Sequence, residues 1–337
     1  MKCLPISCIR NHKGLTILLL AAVSLLAGLV SLCVGATALS LREVAAALLG
    51  GGEETARQIV LYARLPRALA ALLCGGALAA GGVLIQGAMG NPLAGPNIIG
   101  VNAGAGLGAI LCSALLPDSM TAVPVAAFAG ALGACMLVYG LARKTGASKI
   151  TLVLAGVAIS SMLSAAIDGV AILFPEAALG ANAFMIGRLN GVTLRALLPP
   201  AVLSLLAVLA AFGLSYELDL LTLGDEVAHS LGLSAKTTRN VLLVLAAVLC
   251  GSAVSFAGLV GFVGLLVPHA CRFLVGGEHR YLLAASVFLG GALVTVCDLV
   301  SRVVFAPFEL PVGVVLSLAG GPCFLWLLLR QRGGRAR

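Results

Sequence analysis

The sequence points to an all-α polytopic membrane protein with about ten transmembrane helices, and three features carry that expectation. The chain is 61% hydrophobic and only 10% charged, with a mean hydropathy of +1.12, whereas soluble domains carry about a quarter charged residues. Its apolar residues fall into runs of about twenty, the length a helix needs to cross a bilayer. Short turns rich in Gly and Pro separate these runs, so consecutive spans must fold back on one another. Residues 1–337 are read as a single membrane domain.

The first span, 15–37, follows Lys2, Arg10 and Lys13. A cleavable signal has an apolar core of about 7–15 residues; this run is longer and is read as a retained helix. Residues 38–67 are too polar and Gly-rich to span and form an outer loop, with a short surface helix over 41–49. The second and third spans, 68–88 and 97–116, are joined by Asn91-Pro92-Leu93-Ala94-Gly95-Pro96, a turn too short to join anything but an antiparallel pair. Spans 122–142 and 150–173 follow, then a second outer loop over 174–195 and a sixth span at 196–215. The inner connection over 217–239 leads to 240–257, 260–275, 281–304 and 312–330. Gly258 and Gly261 divide the seventh span from the eighth. One uninterrupted helix there would run about 36 residues and overshoot a bilayer at ~1.5 Å per residue.

Lys and Arg set the orientation. With a cytoplasmic N-terminus, fourteen of the 21 basic residues lie on inner segments and seven outside, as the positive-inside rule requires. Both termini are then cytoplasmic. The net charge of +8 is dispersed over loops and tails and is no nucleic-acid footprint.

Chemistry-bearing residues are few. The ten cysteines are scattered, with no C-x-x-C, and read as small hydrophobes within spans. No His or Cys spacing suits a metal. The chain lacks G-x-x-x-x-G-K-[ST], H-E-x-x-H and G-x-S-x-G, so it has no catalytic residues and no P-loop of its own. Asp298 stands four residues before Arg302, the spacing of a helical ion pair, and Asp168 suits a polar contact between helices. Gln86, Asn91 and Pro92 put polar groups and irregular backbone between two spans, which suggests a pathway or gate, with Gly81 and Gly82 giving it room.

Arg64, Arg67 and Arg302 sit at outer helix mouths. They are either snorkelling side chains or contacts for an acidic partner. On the inside, Thr222 and Asp225 have capping-box spacing. The helix they open presents Val227, Ala228 and Leu231 and stops at Gly232, with a second turn starting at Ser234. Such a short, small-residue segment suits a cleft in a soluble protein better than a lipid surface. Residues 70–77 resemble 246–253, with Gly82 and Pro92 matching Gly258 and Pro268 at the same offset. Five spans separate the copies, so the repeat is inverted, a transporter architecture. A self-contained secondary transporter or channel would need an ion-coordinating core residue, for which Asp168 is the candidate; an intramembrane enzyme lacks its motifs.

The chain resembles the permease subunits of type II ABC importers for iron–siderophore, haem or cobalamin, over about residues 35–330. The motifs that carry this are Arg64-Leu65-Pro66-Arg67, Gly81-Gly82-x-x-x-Gln86, Asn91-Pro92-Leu93-Ala94-x-Pro96 with Gly100, and Leu223-Gly224-Asp225-Glu226-Val227-Ala228-x-Ser230-Leu231-Gly232. Gly261-Phe262-Val263-Gly264-Leu265-x-Val267-Pro268-His269-x-x-Arg272 and Glu309-Leu310-Pro311-Val312-Gly313 complete the set. Met89 and Gly90 depart from the family pattern before Asn91. The resemblance implies ten helices per subunit, a homodimer with the passage at its interface, two copies of a cytoplasmic P-loop ATPase that use ATP and Mg, and an outer substrate-binding protein. It implies binding-protein docking at Arg64, Arg67 and Arg302. It implies ATPase coupling through Leu223, Gly224, Asp225, Glu226, Ala228, Leu231 and Gly232. No cofactor is implied on this chain, and selectivity for the cargo is expected to lie with the binding protein.

Overall fold

A chain inside hydrocarbon must satisfy its backbone N–H and C=O groups internally, which turns apolar runs of this length into helices. The computed structural model describes residues 12–35, 37–117, 119, 121–144 and 149–333, and is all-helical among them. Lys2, Arg10, Arg335 and Arg337, with Cys3 and Cys8, lie outside the described residues, as do the side chains of Arg143, Lys144, Lys149, Arg330 and Arg332.

In chain order the helices are α1 (Lys13–Cys33), α2 (Leu41–Leu48), α3 (Glu54–Met89), α4 (Val101–Leu115), α5 (Ala122–Lys144), α6 (Lys149–Leu173), α7 (Pro175–Met185), α8 (Leu194–Gly213), α9 (Ser215–Thr222), α10 (Asp225–Ser230), α11 (Ala235–Ala257), α12 (Val263–Val275), α13 (His279–Val303) and α14 (Val312–Gly333). Among the described residues, seven are long and apolar enough to cross a membrane. Three shorter apolar helices, α4, α12 and the start of α14, fill the remaining expected spans. The 13 residues of α12 rise only about 20 Å, short of the ~30 Å hydrocarbon core.

Helix α3 is the central pole. In its apolar window 83% of residues are buried against the rest of the chain, compared with 17% in α6. Its sequence explains this, because glycine and alanine let backbones approach closely where no hydrophobic drive separates helix from lipid. A Cβ on Gly75 would come within 2.0 Å of the Gly290 carbonyl oxygen on α13, and one on Gly82 within 1.9 Å of the Gly264 carbonyl oxygen on α12. Helix α11 packs along α3 in the opposite direction, Arg239 near its start meeting Ala88 near the end of α3. The two look-alike segments therefore lie on adjacent antiparallel helices.

Several expectations are corrected. Residues 54–67, read as loop, extend α3 by a π-helical stretch, Ile59–Arg64. Pro66 has no N–H to give to the carbonyl four residues back, and the wider turn, with Leu65 N–H donating to the Val60 carbonyl, absorbs the mismatch. The outer loop over 174–195 contains an 11-residue helix, α7. The break expected at Gly258 and Gly261 is present, since both lie in the non-helical residues 258–262 between α11 and α12, with Gly258 and Phe262 at positive φ. Asp168 is exposed on α6 and makes no inter-helix contact that would bury it.

The short surface helix is present as α2, closed by a capping box. The Glu43 N–H donates to the Ser40 hydroxyl, and the Ser40 N–H and hydroxyl donate to the Glu43 carboxylate at 2.7 Å. These bonds, the hydroxyl first and the amide second, hold the Glu43 carboxyl below its ordinary value. The sign follows: the cap is complete at neutral pH and is lost as the pH falls through that lowered value.

Candidate functional site

Polar side chains gather in two layers at opposite ends of α3 and α13. The 25 residues of α13 separate them by about 36 Å.

The layer expected to face outside is built on Asp298, which is fully buried on α13. Arg67 Nε donates to its carboxylate at 3.0 Å, and Arg302 donates through Nε at 2.9 Å and also through Nη2. The i, i+4 pair read from the sequence is thus formed, but Asp298 is shared with a second helix. Arg302 also donates to the Ser31 hydroxyl at 2.7 Å and the Ser31 carbonyl, while Arg64 donates to the carbonyls of Leu32 and Cys33 at 2.8 Å and to Thr37. The last carbonyls of α1 have no partners within their own helix, and two guanidinium groups from other helices satisfy them where the helix dipole is negative.

This geometry corrects the picture of three outward-facing arginines. Arg64 and Arg302 are each 5% exposed and committed to the chain's own groups. Arg67 alone reaches the rim, where Nη1 donates to Glu309 at 2.7 Å. Snorkelling is not their role either, since Arg64 and Arg302 point inward.

The opposite layer surrounds the segment from α9 to the start of α11. Glycines at φ +106° (Gly224) and +84° (Gly232) bracket α10, a backbone that residues with a Cβ seldom adopt. The expected capping box is absent. Thr222 donates its hydroxyl to the Asp219 carbonyl, and Asp225 instead receives Arg239 Nη2 at 2.7 and 3.0 Å. The second turn expected at Ser234 is the start of the long helix α11. Of the predicted coupling residues, Ala228 is fully buried in the chain, whereas Leu223, Asp225, Glu226 and Leu231 are exposed, as is Val227. Leu223, Val227 and Leu231 thus present an exposed apolar surface among the described residues.

The proposed gate residues divide. Asn91 and Pro92 are exposed in the turn after α3, where the Asn91 side chain accepts the Leu93 N–H at 2.9 Å. Gln86 is buried, donating to the Leu265 carbonyl and accepting from Arg272. Gly81 and Gly82 line no opening. They are helix-contact positions, with Cys250 and Gly264 against them, so the room they provide is for packing within the subunit. Three residues have no role in the sequence reading: Arg239 and the pair Asp219–His279, in which the His279 N–H donates to Asp219 at 3.0 Å and the ring Nδ1 lies at 2.6 Å. Each pairs with a group far away in sequence or with a backbone carbonyl, and no spacing rule reports that.

Among the described residues no group of three or more His, Cys, Asp or Glu is arranged to hold a metal ion. A family model described as the FecCD transport family matches residues 20–330, nearly the whole of this helical bundle. The chain belongs to the FecCD transport family. As a FecCD protein it is a permease subunit of an ABC importer and not an enzyme.

Relatives in several organisms match most of its length. The Fe(3+)-citrate import system permease protein YfmE of Bacillus subtilis is 36% identical, over 95% of this chain and 96% of that one. The cobalamin import system permease protein BtuC of Halobacterium salinarum is 41% identical, over 87% and 79%. The ferric enterobactin transport system permease protein FepD of Escherichia coli is 38% identical, over 95% and 96%. Among solved structures, an ABC transporter assigned to the metal-chelate type, in an inward-facing conformation, superimposes with a TM-score of 0.84 at 28% identity, covering 93% of this FecCD chain and 98% of its own.

Proposed function

We propose that this permease imports a chelated metal compound, an iron–siderophore complex, haem or cobalamin, across the cytoplasmic membrane of a prokaryote. Two copies form the passage at their interface, and two copies of a cytoplasmic P-loop ATPase supply the work with ATP and Mg. A substrate-binding protein delivers the cargo from outside. The observation that carries the coupling assignment is the exposed apolar surface of Leu223, Val227 and Leu231. Val227 lies on the short helix α10, Leu231 directly follows it and Leu223 directly precedes Gly224, with α10 itself held between two glycines at positive φ. Exposed apolar patches of this kind mark protein contacts. At the far end, Arg67 is the docking residue for an acid on the binding protein, with Arg64 and Arg302 supporting it from beneath. The exposed turn at Asn91 and Pro92 belongs to the gate.

Two experiments test this reading. Val227→Asp and Leu231→Asp place charge on the apolar surface while leaving the buried Ala228 in place, so the permease should reach the membrane at its normal level and lose the ATPase on co-purification. Retention of the ATPase at wild-type stoichiometry by both variants would refute docking at α10. Orientation is read with a membrane-impermeant thiol reagent on variants lacking other accessible cysteines. Arg57→Cys should label from outside and Arg280→Cys only after the membrane is opened; the reverse pattern would invert the topology.

A further inference from the structure

We infer that Arg239 is a positioning residue that transmits displacement of α10 to the end of α3 and the turn beyond it. The inference rests on the reading of α10 as the ATPase-docking helix.

The guanidinium of Arg239 joins three elements at one point. Its own helix is α11; Nη2 holds both oxygens of Asp225, the first residue of α10, at 2.7 and 3.0 Å; and Nε donates to the Ala88 carbonyl at 2.9 Å. The Arg239 side chain is 8% exposed and its bond to Ala88 is buried, while the Asp225 carboxylate at its other end is half-exposed. Ala88 is one residue from the end of α3, where carbonyls lack helical partners. Gly90 then turns the chain at φ +58° into the exposed residues Asn91, Pro92 and Leu93. A guanidinium is planar and its donors keep a fixed relative geometry, and charge-assisted bonds of this length are directional. Asp225 therefore cannot be carried away from the membrane without either pulling Ala88 with it or breaking the clamp.

A second link runs beside the first. Asp219 on α9 holds the first residue of α13 through the His279 N–H and ring. The segment that meets the ATPase is thus tied separately to α3 and to α13. These are the two helices that Arg67 and Asp298 bind together at the other end. Arg239 is the only one of the two links that reaches the turn at Asn91, which makes it the one to test.

The test uses the assembled permease–ATPase complex, with a nitroxide on Leu93→Cys in a background lacking other accessible thiols. ATP with vanadate is added, and the change in the nitroxide spectrum is compared between variants. Arg239→Gln should retain the ATPase at wild-type stoichiometry and lose at least tenfold of the spectral change. Arg239→Lys, which keeps the charge and can reach one partner, should recover part of it. Asp225→Asn should reduce the response, and combining it with Arg239→Gln should add nothing further, since both act on one link. An undiminished response in Arg239→Gln overturns the inference, as does independent addition of the two effects. Loss of the ATPase from Arg239→Gln also overturns it, because Arg239 would then secure docking rather than transmit it. Should Arg239→Gln fail to accumulate, Asp225→Asn decides alone, being a change at a half-exposed side chain: an undiminished response overturns the inference. The docking reading is judged separately by ATPase retention in Val227→Asp and Leu231→Asp.

Discussion

Asp298→Ala is expected to unfasten the outer end of the bundle and to cost about 3–5 kcal/mol of stability, the range for removing one partner of a buried ion pair. The carboxylate is fully buried and receives both Arg67 and Arg302. Its loss leaves Arg302 with the Ser31 contacts alone, at 5% exposure, and removes the bond between α3 and α13. Asp298→Asn keeps the shape and one acceptor and should fall between. Glu309→Ala removes the other acid from Arg67, but at a side chain 36% exposed, where an ion pair is worth about 0–1 kcal/mol. Thermal unfolding of the purified permease should rank the variants in that order. Equal effects at positions 298 and 309 would mean that the buried charge is not the keystone of this layer.

Gly82→Ala is the second large effect. An added methyl would stand 1.9 Å from the Gly264 carbonyl oxygen, a backbone atom that cannot rotate away. Helices α3 and α12 must therefore separate, and overpacking of this kind costs about 1–3 kcal/mol and occasionally more; the upper end is expected, because the neighbour is main chain. Gly261→Ala meets nothing within 4 Å and should lie within about 0.5 kcal/mol of wild type, as changes away from packed features do. The monodisperse fraction after detergent extraction measures both. A well-behaved Gly82→Ala would show that the contact between α3 and α12 yields more readily than its geometry implies.

Run length and composition suffice for the ten apolar segments and their order, because hydrocarbon thickness is a single external ruler, but they do not report α7, which is not one of the spans. The same ruler misleads at α12, where 13 helical residues and the irregular stretch before them share a run that reads as one span. At the sites, residue type was readable and direction was not. Arg64 reads as a charge at a helix mouth, yet its partners are the carbonyls of Leu32, Cys33 and Thr37, which any side chain could have carried. Ala228 reads as a small residue offered to a cleft, and the helix turns it inward. Thr222 and Asp225 have the spacing of a cap, but a left-handed Gly224 between them and Arg239 fourteen residues on redirect the carboxylate. The Gln86–Arg272 contact spans 186 residues, beyond the reach of any local pattern.

The central place of α3 has a consequence for the order of events at the ribosome. It is the second long apolar helix to emerge, whereas the helices that enclose it, α11, α12 and α13, are made last but one span. Roughly two hundred residues must follow it, which at ~5–20 residues per second takes on the order of 10–40 s. Through that interval its glycine and alanine faces are without the close helix contacts that finally cover them. The helix that is most enclosed at the end is thus one whose covering partners are made late.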